Sequence, residues 1–192
     1  MNNSKSTSRW LLAANVMLAA TMSTPAASAA DYSRDEALKT LYVNVESDGT
    51  GTLPTECISL LKENAVTNLV KKGGGKLSES EDLTSYTGHI TVAEGIYSFT
   101  ENVALGKLSN DAGSVYVEDG ATLDYSPQAK AGGWYTKRIE FSGRGVNGMG
   151  ALSFSGPAVN ERMCFGSNLV MRADALIKNN HNNNGYRYGK SG

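Results

Sequence analysis

His89 and His181 are the only histidines in the chain, so a Ser-His-Asp relay would have to use one of them. His89 stands between Gly88 and Ile90 in an alternating segment, on the side opposite Ile90, which reads as a solvated strand position; His181 stands among asparagines in a loop. No Gly-x-Ser-x-Gly elbow accompanies either. Glu79, Glu81 and Asp82 form an acidic cluster able to hold calcium weakly, and a solvated acidic loop is the simpler reading. Gly143–Gly148 spells G-x-G-x-x-G after the strand-like Ile139–Phe141. A dinucleotide site needs a helix next, and "MGALSFSGP" reads as a Gly-interrupted strand instead. Gly73-Gly74-Gly75-Lys76 is followed by Leu77, so the hydroxyl that a phosphate loop puts on magnesium is missing. The sequence therefore predicts no catalytic residue, no cofactor, no metal and no enzymatic activity.

The aromatic residues carry more promise. In "GGWYTKR", residues 132–138, Trp134 and Tyr135 stand beside Lys137 and Arg138. Exposed aromatics on a β surface present a flat apolar face with a polar tip, which suits the face of a sugar ring. Trp134, Tyr135, Lys137 and Arg138 are the candidate ligand patch, with surface glycans or the surfaces of host or neighbouring cells as partners. The competing reading places these rings, with Tyr86, Tyr97, Tyr116 and Tyr125, inside the fold or over its edge. Cys57 and Cys164 either form one bridge, closing a loop of about 107 residues worth about 4–5 kcal/mol, or are two buried thiols too far apart to meet.

Residues 1–30 have the layout of a secretory signal. Lys5 and Arg9 precede an apolar core, Trp10–Met22, and small residues follow with an Ala27-x-Ala29 cleavage pattern. The apolar core is short of the ~20 residues a bilayer span needs. The expected mature chain starts near Ala30 or Asp31, is exported, and inserts in no membrane. Eighteen basic against nineteen acidic residues leave no field for nucleic acid. Residues 31–65 read as an N-terminal cap region with one short helix at 53–65: Pro54 suits a first turn, Glu56 suits the positive end of the dipole, and Cys57, Ile58, Leu60 and Leu61 form one apolar face.

Residues 66–192 read as β structure. Val66, Asn68 and Val70 alternate with Thr67 and Leu69; "KRIEFSG" and "GALSFSG" are short alternating strands; "NLVMRADALI" is a further pair around Ala173-Asp174. "ITVAEG" (90–95) matches "VYVEDG" (115–120), and the two glycines are about 25 residues apart, a period that points to stacked coils. Stacking would place Ile90 and Val92 beside Val115 and Val117. The 53–65 helix would then cover the open N-terminal edge.

The segment "VTNLVKKGGGKLSESEDLTSYTGHITVAEGIYSF" (66–99) resembles the autotransporter-associated β-strand repeat of bacterial surface passengers. The matching positions are Gly73–Gly75, Leu77, Tyr86-Thr87-Gly88, Thr91-Val92, Glu94-Gly95 and Ile96–Phe99, with similar segments at 104–126 and 145–156. The resemblance covers roughly residues 60–156. It implies an all-β, right-handed parallel β-helix displayed at the surface of a Gram-negative cell, with no catalytic residues to carry over. An outer-membrane barrel is expected only if the chain continues beyond Gly192. The expected function is an exported, non-catalytic surface module, structural or adhesive; the alternative is a carbohydrate-binding or carbohydrate-active extracellular β domain using residues 132–138.

Overall fold

Short alternating strands separated by Gly- and Asn-bearing corners cannot each bury an apolar face alone, and the chain solves this by winding. The computed structural model describes residues 28–107, 109, 112–126, 133–135, 137–156, 163–165, 168–179 and 187–188. Strands β1 (Ser28–Ala29) and β2 (Asp31–Asp35) lead in. β3 (Thr40–Asn44), β4 (Thr50–Thr52) and helix α1 (Thr55–Lys62) follow, then β5 (Asn68–Lys72) and β6 (Lys76–Glu79), then β7 (His89–Val92) and β8 (Ile96–Phe99). β9 (Val115–Val117), β10 (Thr122–Tyr125) and β11 (Gly133–Tyr135) come next, then β12 (Ile139–Gly143), β13 (Leu152–Phe154) and β14 (Met163–Phe165). β15 (Leu169–Ala175), β16 (Ile177–Asn179) and β17 (Arg187–Tyr188) complete the series.

Equivalent strands of successive windings pair in parallel. One seven-stranded sheet runs β1-β4-β6-β8-β10-β13-β16, a second runs β15-β12-β9-β7-β5-β3-β2, and a three-stranded sheet runs β11-β14-β17. The fold is a parallel β-helix, as the period predicts, with one short α-helix among the described residues. Ile90 pairs with Val115 and Val92 with Val117, the expected neighbours. Gly95 and Gly120 both take positive φ (64° and 83°), the backbone that the repeated corner requires and that a side chain would strain.

The interior is a set of rows. In the second sheet, Leu41, Leu69, Ile90, Val115, Ile139 and Leu169 stack in register. In the first, Leu77, Tyr97, Leu123, Leu152 and Ile177 do the same. A third row places Phe99, Tyr125 and Phe154 in line, with the first two rings 5.1 Å apart. Each fully buried side chain of this kind contributes about 1.5–3 kcal/mol of transfer free energy.

On β5 Leu69 and Lys71 face inward and Val70 outward, the sense that the alternation by itself left open. One expectation shifts. The coil begins at Thr40, because β3 and β4 are already in register with β5 and β6, ahead of residue 66. α1 follows β4 in the first winding, at the N-terminal end of the coil, and buries Cys57 and Leu61. Asn64, just past its end, accepts from the Thr87 amide (2.8 Å) and donates to Ser85 O (2.9 Å) on the winding above. The N-terminal edge of the second sheet is closed by β2, which turns back antiparallel on β3. At the other end β15 carries a bulge: Phe141 pairs with Met171 and Gly143 with Ala175, so residues 172–174 loop out. Met171, in the interior register, is 64% exposed there.

Ile90→Ala is expected to cost about 2–5 kcal/mol, because the stacked neighbours cannot collapse into the void. Thr91→Ala, one residue along and facing out, should cost about 1 kcal/mol or less. Urea unfolding midpoints of the two variants check this, and equal losses would contradict the inward–outward register.

Candidate functional site

The predicted patch divides across the wall. Trp134 and Tyr135 belong to β11, and their side chains lie outside the described residues. Lys137 shares its parity with Ile139 and Phe141 and points inward: it is 1% exposed, its Nζ donates to Gly88 O at 3.3 Å and lies 5.9 Å from the Tyr86 ring centre. Arg138 points outward and pairs with Glu140 at 2.7 Å. The two cations therefore do not form one surface.

A second lysine is interior as well. Lys71 occupies the row of Val43 and Val92 and is 0% exposed. Its ammonium is held by backbone carbonyls: those of Gly73, of Gly75 at 2.6 Å and of Glu94 at 3.0 Å. The Glu94 carboxylate accepts from the Gly73 amide at 2.9 Å, tying the glycine corner to the winding above. A Cβ on Gly95 would come within 2.5 Å of that ammonium, so the corner admits only glycine. Burial lowers the Lys71 pKa to about 8 against the opposing pull of Glu94, and burial lowers Lys137 to about 8.

The acidic cluster is dispersed into structural roles. Glu79 faces inward, with Oε1 accepting from the Ser80 (2.9 Å) and Glu81 (2.7 Å) amides, and burial raises its pKa. Glu81 pairs with Lys62 at 3.5 Å, and Asp82 caps the Thr84 amide and hydroxyl. His89 is half-buried rather than fully solvated: Nδ1 accepts from the Ser114 amide at 3.0 Å, and the ring lies 5.6 Å from Tyr116. The G-x-G-x-x-G segment carries a short 3-10 turn, Val146–Gly148, packed over Thr122 through Val146 N–H to Thr122 Oγ1 (2.9 Å), and delivers the chain into β13. Cys57 is a free thiol whose burial raises its pKa to about 11; the Cys164 side chain and His181 lie outside the described residues. Among the described residues no cluster of three or more His, Cys, Asp or Glu is arranged to hold a metal.

What the surface does offer is a recess of about 350 Å³ on the outer face of the first winding, lined by Asp31, Tyr32, Ser33, Tyr42, Asn44 and Lys72. The geometry follows from pairing. Asp31 lies opposite Asn44 and Ser33 opposite Tyr42 in the antiparallel β2–β3 pair, and Lys72 lies beside Asn44 on β5. Directly paired residues share a face, so one aromatic ring, one acid, one amide, one hydroxyl and one ammonium converge. The Lys72 ammonium sits 4.4 Å from the Tyr42 ring centre. Sequence reading missed this site because β2 meets β3 through a reversal that no repeat signals; the alternation of Tyr42 and Asn44 with Val43 was its only trace. No protein-family model, no curated protein and no solved structure matches the chain.

The buried lysines set an alkaline signature. Their folded pKa of about 8 lies below the ordinary lysine value of 10.5, so above about pH 8 the unfolded chain binds more protons than the folded one. Stability then rises with pH. Cys57, raised from 9.0, opposes this as pH climbs beyond about 9, and Tyr86 and Tyr97, raised by burial from 10.0, beyond about 10. Urea midpoints should therefore rise between about pH 8 and 9, and Lys71→Met should flatten that rise. Lys71→Met should also lower stability at pH 7 relative to the wild type, by about 1–3 kcal/mol for the corner carbonyls that lose its ammonium. A rise of undiminished slope in the variant would contradict the assignment.

Proposed function

We propose that this chain is an exported, non-catalytic surface module of the autotransporter-passenger type, with a structural or adhesive role. The observation that carries the reading is the register of the repeat: 66–99, which resembles the passenger repeat, supplies β5–β6 and β7–β8 of two successive windings, and 104–126, which resembles the next part of such passengers, continues the stack with Val115 on Ile90 and Leu123 on Tyr97. A column of this kind adds reach by adding windings, each of which needs only its neighbours. That suits a body extending away from a cell. The layout of residues 1–30 supports export. A cut after Ala29 would leave Ala30 in the core, with its nitrogen still placed to donate to Thr52 O, a contact of 3.1 Å. Among the described residues no helix is long and apolar enough to cross a membrane.

Expression of the full chain in a Gram-negative host tests this. The mature N-terminus by mass spectrometry is expected at Ala30 or Asp31, with the product outside the inner membrane. An unprocessed chain retained in the cytosol would overturn the export reading. Turnover of any polysaccharide by the purified protein would overturn the non-catalytic one.

A further inference from the structure

We propose that the recess on the outer face of the first winding is a binding site for a neutral oligosaccharide. Its chemistry argues for that class. Asp31 accepts hydrogen bonds, Lys72 donates them, and Asn44 and Ser33 do both, a mixture matched to vicinal hydroxyls, each of which donates and accepts. Tyr42 supplies a half-buried aromatic face for the apolar side of a pyranose. One carboxylate against one ammonium leaves no net charge to attract a nucleotide or a polyanion. The volume of about 350 Å³ is at the small end for ligand sites, the scale of one or two sugar rings from a longer chain.

The scaffold is suited to the task. Tyr42, Asn44 and Lys72 sit on strands whose inward neighbours, Leu41, Val43 and Lys71, are 0% exposed, so the platform is fixed from beneath. Asn44 Nδ2 donates to Glu46 Oε1 at 2.7 Å, which orients its amide with the carbonyl oxygen left to accept. Lys72 is exposed and long, and its ammonium can leave the Tyr42 face to donate to a sugar hydroxyl as the ring takes its place. The ligand class comes from the recess alone; the proposed surface location adds only where such a ligand would be met.

The test is titration calorimetry and saturation-transfer NMR of the purified protein with cellotetraose, maltotetraose, chitin tetrasaccharide and tetragalacturonate. At least one neutral probe is expected to bind, with affinity unchanged by roughly 0.5 M salt, since no ion pair is involved. Tyr42→Ala should weaken binding about tenfold or more, the scale of one lost stacking contact. Lys72→Gln and Asp31→Asn, both on exposed side chains, should each weaken it about threefold. They decide the matter if Tyr42→Ala does not fold. Trp134→Ala should leave binding intact. Absence of binding to every probe, a preference for tetragalacturonate that salt abolishes, or loss of binding in Trp134→Ala with Tyr42→Ala unaffected would each overturn the proposal. Probe binding and N-terminal processing are read by separate measurements, so failure of one leaves the other standing.

Discussion

Everything in this molecule is conditioned by the shared interior of the stacked windings. Parallel strands about 4.8 Å apart put each inward side chain directly on its counterpart above and below. A row such as Leu41–Leu69–Ile90–Val115–Ile139 is therefore buried only because it is a row. No winding owns enough apolar surface to hold itself together. The same constraint fixes the corners, since every winding must turn at the same place for its strands to remain in register. Gly95 and Gly120 mark that place.

The constraint tolerates polar residues where the backbone can answer them. Lys71 and Glu79 both occupy interior positions. Lys71 reaches the glycine corner, where the carbonyls of Gly73, Gly75 and Glu94 converge on its ammonium, that of Gly75 also accepting from the Ile96 amide of β8 at 3.1 Å. Glu79 ends its strand, where the amides of Ser80 and Glu81 are free to donate. In each case the charge lies at a break in the ladder, where unsatisfied backbone groups would otherwise carry their own cost. Lys137 follows the same logic at the Tyr86–Gly88 corner.

The outer face is free of the stacking rule, and its chemistry varies from winding to winding. Tyr42 is crossed by Lys72 on the first winding, His89 leans on Tyr116 further along, and Arg172 folds back from the β15 bulge to pair with Glu118 at 3.2 Å and lie over Tyr116. Edge control is also a matter of the outside. The antiparallel return of β2 closes one end of a sheet, and the bulge interrupts regular pairing at the other. A ligand site on such a scaffold would sit on rigid strands whose backs are locked in the core, with its specificity set by residues that packing does not dictate.

The sequence by itself determined the period, and through it the fold. The matched Val-x-x-Gly corners of 90–95 and 115–120 were enough to pair Ile90 with Val115, because register in a stacked coil is set by local spacing alone. It also located α1, whose apolar positions have helical period. Tertiary structure alone decided which way β5 faces, since "NLVKK" alternates equally well in either sense and only the carbonyls of Gly73, Gly75 and Glu94 make an inward lysine tolerable. It decided that Lys137 and Arg138 part company across the wall, and that β2 returns on β3 to bring Asp31 and Ser33 beside Tyr42, Asn44 and Lys72. Spacing along one chain fixes which residues share a winding; which side of the wall a charge occupies depends on partners contributed by other windings, and no local pattern contains them.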